Sequence, residues 1–194
     1  MSDGALPEDD LAARHGLPEP YRYLVEAFPR LRWHDRELGD VARFWLQMHS
    51  GFRREADQMQ ALTVAWRAGD LALPDLHRQL IPTLQHFLQH LDGHHNVETH
   101  HYFPVMRQAE PAIGAGIDLL DRDHDAIHGR LKTLFQTGLA FHQALSANGA
   151  NASDAAFRLA DAIESSSPPL ARHLEDEEDI VIPLMVRHAD VFRA

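Results

Sequence analysis

The chain has 194 residues, 44% of them hydrophobic, a formal charge of −11 and no cysteine. Its length supports one domain with a sizeable core, and its acidity excludes a phosphate backbone or an anionic membrane face as partner, because binding there is dominated by Lys and Arg. The lack of cysteine excludes disulfides, thiolate zinc sites, iron–sulfur clusters and cysteine nucleophiles, so any metal must be held by nitrogen and oxygen.

Residues 1–33, beginning MSDGALPEDDLAARHGLPEPYRYL, carry acids where a signal peptide needs basic residues and lack an apolar h-region. They read as a loosely structured N-terminal extension ahead of a domain spanning 34–194. No run of about 18 apolar residues follows, which predicts a soluble, cytoplasmic protein. Four segments then repeat apolar residues with a period near 3.6, without strand alternation. The first predicted helix covers about 35–67, with Leu38, Val41, Trp45, Phe52, Ala56, Met59 and Trp66 on one face, and stops at Gly69-Asp70. The second begins at Pro74, carries Leu80, Leu84, Phe87 and Leu91 inward, and ends before Pro111. The third spans about 113–147 with Ile117, Leu120, Ile127, Leu131 and Phe135 inward, closed by Asn148-Gly149. The fourth runs from near Ser153 to near His188. Its Ser165-Ser166-Ser167-Pro168-Pro169 stretch predicts a kink or a fresh start with Ser167 as N-cap, since an interior proline costs about 3 kcal/mol. Short connections make consecutive helices antiparallel, so the expected fold is all-α, an up-down-up-down four-helix bundle.

Fifteen histidines exceed what packing requires. Two of them open matching segments: His94 and His173 are each followed by a glutamate four residues on, Glu98 and Glu177, and then by a proline six residues further, Pro104 and Pro183. That is an internal repeat. On the second helix the inward line continues through His94, Glu98 and Val105, leaving His86, His90, His95 and His100 as solvated or supporting residues. On the third it reaches His124 and His128, on the fourth His173 and Glu177, and on the first His49. Height agrees: His49 lies about 18 residues before the end of its helix and His94 about 20 after the start of the next. Glu98 and His124 are each about 11 residues from their shared turn, and His128 and His173 about 19 and 20 from theirs. Seven polar residues are thus expected at one level of an apolar core, where burying them without a partner would cost several kcal/mol.

Imidazole and carboxylate donors suit iron, zinc, nickel or copper. Seven exceed one ion's needs. With both glutamates bridging two ions and a bridging oxide or hydroxide from solvent, an ion with three histidines has six ligands and one with two histidines has five, leaving one position open. Ligand imidazoles must be neutral, so acid is expected to weaken both metal binding and the metal-free fold. A ferritin-like site would need ExxH on two helices, and Leu170 stands where the glutamate before His173 should be.

His49 together with the segments HHNVETHHYFP, DRDHDAIH and HLEDEEDIVIP resembles the haemerythrin-like (HHE) cation-binding proteins over roughly residues 37–190. The resemblance implies a non-haem di-iron centre, two Fe2+/Fe3+ ions, in which His124, His128 and His173 bind one iron, His49 and His94 the other, and Glu98 and Glu177 bridge. Oxygen-carrying haemerythrins have an aspartate five residues after the last histidine; here glutamates stand at four and five, Glu177 and Glu178, and the repeat favours Glu177. The implied ligand is dioxygen or nitric oxide, bound for sensing, delivery or scavenging. The alternatives are a di-iron enzyme, an oxidase, peroxidase or nitric-oxide-handling protein, and an iron buffer.

Overall fold

The computed structural model describes residues 10–34, 38–147 and 149–192. The start of the extension, the predicted helix start at 35–37 and the predicted stop at position 148 lie outside them. The described residues are helical, with no strand among them: α1 (Tyr23–Ala27), α2 (Asp40–Ala68), α3 (Leu73–Val97), α4 (Phe103–Ala109), α5 (Gly114–Ser146) and α6 (Ala152–Arg187). A π-helical turn, Glu98–Tyr102, joins α3 to α4. No helix among the described residues is long and apolar enough to cross a membrane. The stop after α2 is a Schellman motif: Asp70 N–H donates to Ala65 O and Gly69 N–H to Trp66 O, with Gly69 at φ 85°, a conformation that costs glycine no Cβ clash.

The chain divides into two compact units, residues 1–50, 96–126 and 169–194 in one and 51–95 and 127–168 in the other. The second unit buries Phe52, Met59, Leu80, Leu84, Phe87, Leu91, Leu131, Leu134, Phe141, Leu159 and Ile163. Its helices approach closely at Gly138, where an added Cβ would lie 2.6 Å from Leu84 Cδ2. The first unit packs Trp45, Phe103, Met106, Ile113, Ile117, Leu120, Ile180 and Leu184 into one cluster.

That cluster also takes in the N-terminal extension. Where the sequence predicts loose structure, residues 10–34 form α1 and two flanking 3-10 turns, and Leu17, Leu24, Phe28 and Trp33 are buried in the first unit's core. Each such burial stabilises by about 1.5–3 kcal/mol, enough to hold a segment too short and aperiodic to announce itself by pattern.

Three other expectations shift for physical reasons. Val105, placed on the inward line, is 39% exposed, while Phe103 and Met106 are fully buried; the π turn winds one extra residue per turn and moves the buried face. Phe135 is 57% exposed and Leu134 is buried in its stead, because two successive four-residue steps from Ile127 rotate a position by about 80°. Finally, α6 runs through the serine–proline stretch with no N-cap at Ser167. The hydroxyls of Ser165 and Ser166 donate to Ala162 O and that of Ser167 to Ile163 O. Pro169 has no N–H to give Ser165 O, and Arg130 Nη1 donates to that carbonyl at 3.1 Å.

Candidate metal centre

Imidazoles and carboxylates project from five helical segments: His49 from α2, His94 and His95 from the end of α3, Glu98 from the π turn, His124 from α5, and His173 and Glu177 from α6; all are buried except His94, which is partly buried. The ligand-type atoms of His95, His124 and His173 all lie within 4.8 Å of one another, and so do those of His49, His94, Glu98 and Glu177. The two glutamates belong to both neighbourhoods. Glu177 Oε2 is 3.7 Å from His49 Nε2 and 3.3 Å from His173 Nε2, and Glu98 Oε2 is 3.5 Å from His124 Nε2. Two donors on one ion, at bond lengths of about 2.0–2.1 Å, are separated by about 3.0–3.4 Å, close to these spacings.

The outer face of three of these rings is held by oxygen. His49 Nδ1 lies 3.1 Å from Glu178 Oε1, and His173 Nδ1 is 3.5 Å from Asp123 Oδ2. His124 Nδ1 is 2.9 Å from Thr99 Oγ1. The Thr99 hydroxyl donates to Asp121 at 2.8 Å, so it accepts from the ring, and the neutral ring carries its proton on Nδ1. In the neutral form of each ring Nε2 would turn a lone pair toward the glutamates, the arrangement in which an outer acceptor fixes tautomer and raises ligand basicity. Trp45 Nε1–H donates to the other oxygen of Glu177 at 3.1 Å. Phe52 packs on His94 with ring centroids 5.1 Å apart, and Phe103 stacks on His124 at 5.2 Å.

Without metal, protons occupy this centre. Burial, then the charge and hydrogen bond of Glu177, push the Glu98 carboxyl well above the usual carboxylate range. Burial alone would lower His173, but the hydrogen bonds and charges of Asp123 and Glu177 outweigh it and raise the ring to about 9. The expectation of a neutral, acid-sensitive imidazole in the metal-free protein is therefore reversed at His173.

Of the residues singled out in the sequence, His49, His94, Glu98, His124, His173 and Glu177 come together and His128 does not. Its side chain is 71% exposed and lies 3.2 Å from Asp92. His128 sits at the right height but, two four-residue steps beyond Leu120, has turned about 80° away, and Ile127 fills the inward place. Its position is taken by His95, which the sequence reading leaves outside the centre. His94 and His95 stand three and four residues beyond Leu91, on either side of the stripe, and a paired histidine there is the signal that could have identified both. Between Glu177 and Glu178 the structure also distinguishes: Glu177 faces the imidazoles, and Glu178 holds the outer nitrogen of His49.

The model of the hemerythrin HHE cation binding domain matches residues 40–185. The chain belongs to this family. No curated protein and no solved structure matches it. A hemerythrin HHE domain binds metal cations, and the buried histidine and glutamate groups supply a donor set that fits such ions.

Proposed function

We propose that this HHE domain is an up-down-up-down four-helix bundle holding two non-haem iron ions, one at His95, His124 and His173 and one at His49 and His94, with Glu98 and Glu177 between them. It binds dioxygen or a similar diatomic at an open position, for sensing, delivery or scavenging in the cytoplasm. The observation that carries the dinuclear reading is Glu177, whose single Oε2 faces a histidine of each group. Iron held by these residues would supply redox chemistry and a site for a small ligand. The chain supplies the rest: Trp45 fixes the second oxygen of Glu177, Glu178 and Asp123 hold the outer nitrogens of His49 and His173, and the buried Leu170 and Leu174 exclude water beside His173.

The test is iron content after anaerobic loading of protein purified without a histidine tag. Two irons per chain are expected, with His49→Ala retaining one; a wild-type stoichiometry of one, unaffected by His49→Ala, overturns the reading. A second reading, a di-iron enzyme, is favoured by one contact: Trp45, bonded to Glu177, packs edge-on against the half-buried Tyr102 with ring centroids 4.9 Å apart, a contiguous aromatic route for an electron. Oxygen separates the two. A persistent visible band on oxygenation supports binding, and repeated oxygen consumption with a reductant supports turnover.

A further inference from the structure

Two arginines of the N-terminal extension reach the carboxylates that stand behind the imidazoles, one for each histidine group. Arg14 is 5% exposed. Its Nε donates to Asp176 Oδ2 at 2.7 Å and its Nη atoms to Asp123, the residue behind His173 Nδ1. Arg30 Nη1 donates at 2.9 Å to Glu178 Oε2, and its Nε to Asp179 at 2.8 Å; the other oxygen of Glu178 faces His49 Nδ1. The Arg30 guanidinium is also fixed from the extension's side. Arg30 stacks over the Trp33 ring at 4.6 Å, and Arg14 follows the buried Leu11. In return α6 binds the extension, Arg172 Nη1 donating to His15 O at 3.3 Å and Arg30 Nη2 to Glu175 O at 2.8 Å. Neither arginine lies in the matched residues 40–185.

We propose that the extension is a clamp that positions both metal-binding histidine groups, Arg14 acting through Asp123 on His173 and Arg30 through Glu178 on His49. A carboxylate shared between a guanidinium and an imidazole N–H is held in place and partly neutralised. It orients the ring without drawing its proton away, and outer partners of this kind tune affinity by about 10–100-fold. Arg14 and Arg30 are positioning residues, and the inference rests on the two-metal reading.

The experiment uses the full chain, cobalt(II) as spectroscopic probe and a competing chelator to resolve the two binding steps. Arg14→Gln is expected to weaken one step by about 10–100-fold with the other unchanged, Arg30→Gln to weaken the other step, and Arg14→Lys to restore part of the loss. Phe28→Ala, which removes an apolar anchor without touching a guanidinium, is expected to weaken both. Circular dichroism checks that each variant is folded. A merely structural role lowers both steps together in each arginine variant, and that result overturns the proposal, as do affinities within twofold of wild type. A wild-type chain that takes up no cobalt at all sinks the metal reading itself and this inference with it.

Discussion

Replacing His95 with alanine should remove one metal position, and replacing His128 should remove none. His128 is a surface side chain, 71% exposed, beside Asp92. Exposed ion pairs contribute about 0.2–1 kcal/mol, so His128→Ala should shift unfolding by less than about 1 kcal/mol and leave metal content alone. His95 is 6% exposed and grouped with His124 and His173. Losing even an outer partner of a ligand lowers affinity by about 10–100-fold. Losing one of three imidazoles should therefore cost at least about 100-fold, or about 2.8 kcal/mol at about 1.4 per decade. The assay is iron per chain after anaerobic loading and desalting, with chelator competition for the affinity of each step. Two irons are expected for His128→Ala and one retained tightly for His95→Ala. The opposite pattern, with both variants folded by circular dichroism, would refute the helical register on which the centre is built.

Metal and protons compete at His173 and Glu98. A His173 raised to about 9 contributes stability to the metal-free fold that is fully present below its ordinary value of about 6.5 and is lost as pH rises through 9. Glu98, also raised, acts in the same direction. Metal-free protein should thus unfold more easily at pH 9 than at pH 6.5, and iron loading at pH 7 should release at least one proton, read by calorimetry in buffers of different ionisation enthalpy; equal stability at both pH values and no proton release would count against this protonation pattern. The π turn sets the face that follows it, so Phe103→Ala should destabilise by about 3–5 kcal/mol and Val105→Ala by no more than about 0.5 kcal/mol in chemical denaturation; similar losses would place the stripe differently. Arg130→Met should cost about 0.5–1.5 kcal/mol through the Ser165 carbonyl, and less in a Pro169→Ala background that restores the backbone donor. Strict additivity in that double-mutant cycle would show that Arg130 does not compensate for the proline.

Where the helices are long and the apolar stripe is dense, periodicity was enough. Leu80, Leu84, Phe87 and Leu91 on α3 and Leu159, Ile163, Leu170, Ile180 and Leu184 on α6 are all buried as their spacing predicts. The errors at His128 and Phe135 share one cause. A stripe that alternates three- and four-residue steps stays on one side of a helix, while a repeated four-residue step walks off it by about 40° each time. Val105 failed differently, because nothing in the letters ETHHY declares a π turn. The partners behind the imidazoles were illegible for another reason: Asp123, Glu178 and Thr99 are ordinary polar residues, and only folding brings Asp123 to His173, fifty positions away.

The same long-range blindness hid the extension, and charge explains why its contribution is more than cover. Five acids crowd the first unit around the centre: Glu98, Glu177, Asp123, Asp176 and Glu178 are all buried. Isolated carboxylates in such a place would take up protons or repel one another. Three of them have guanidinium partners: Asp123 and Asp176 share Arg14, Asp176 also meets Arg172, and Glu178 meets Arg30. In the outer layer, three carboxylates therefore face three arginines, two of which come from the extension. The two remaining acids, Glu98 and Glu177, are those that face the imidazoles. Carboxylates without a guanidinium are thus left where cations could replace protons, and charge is cancelled one layer out, so the extension acts on the electrostatics of the centre while the imidazoles and carboxylates grouped there come from the helices of the HHE domain.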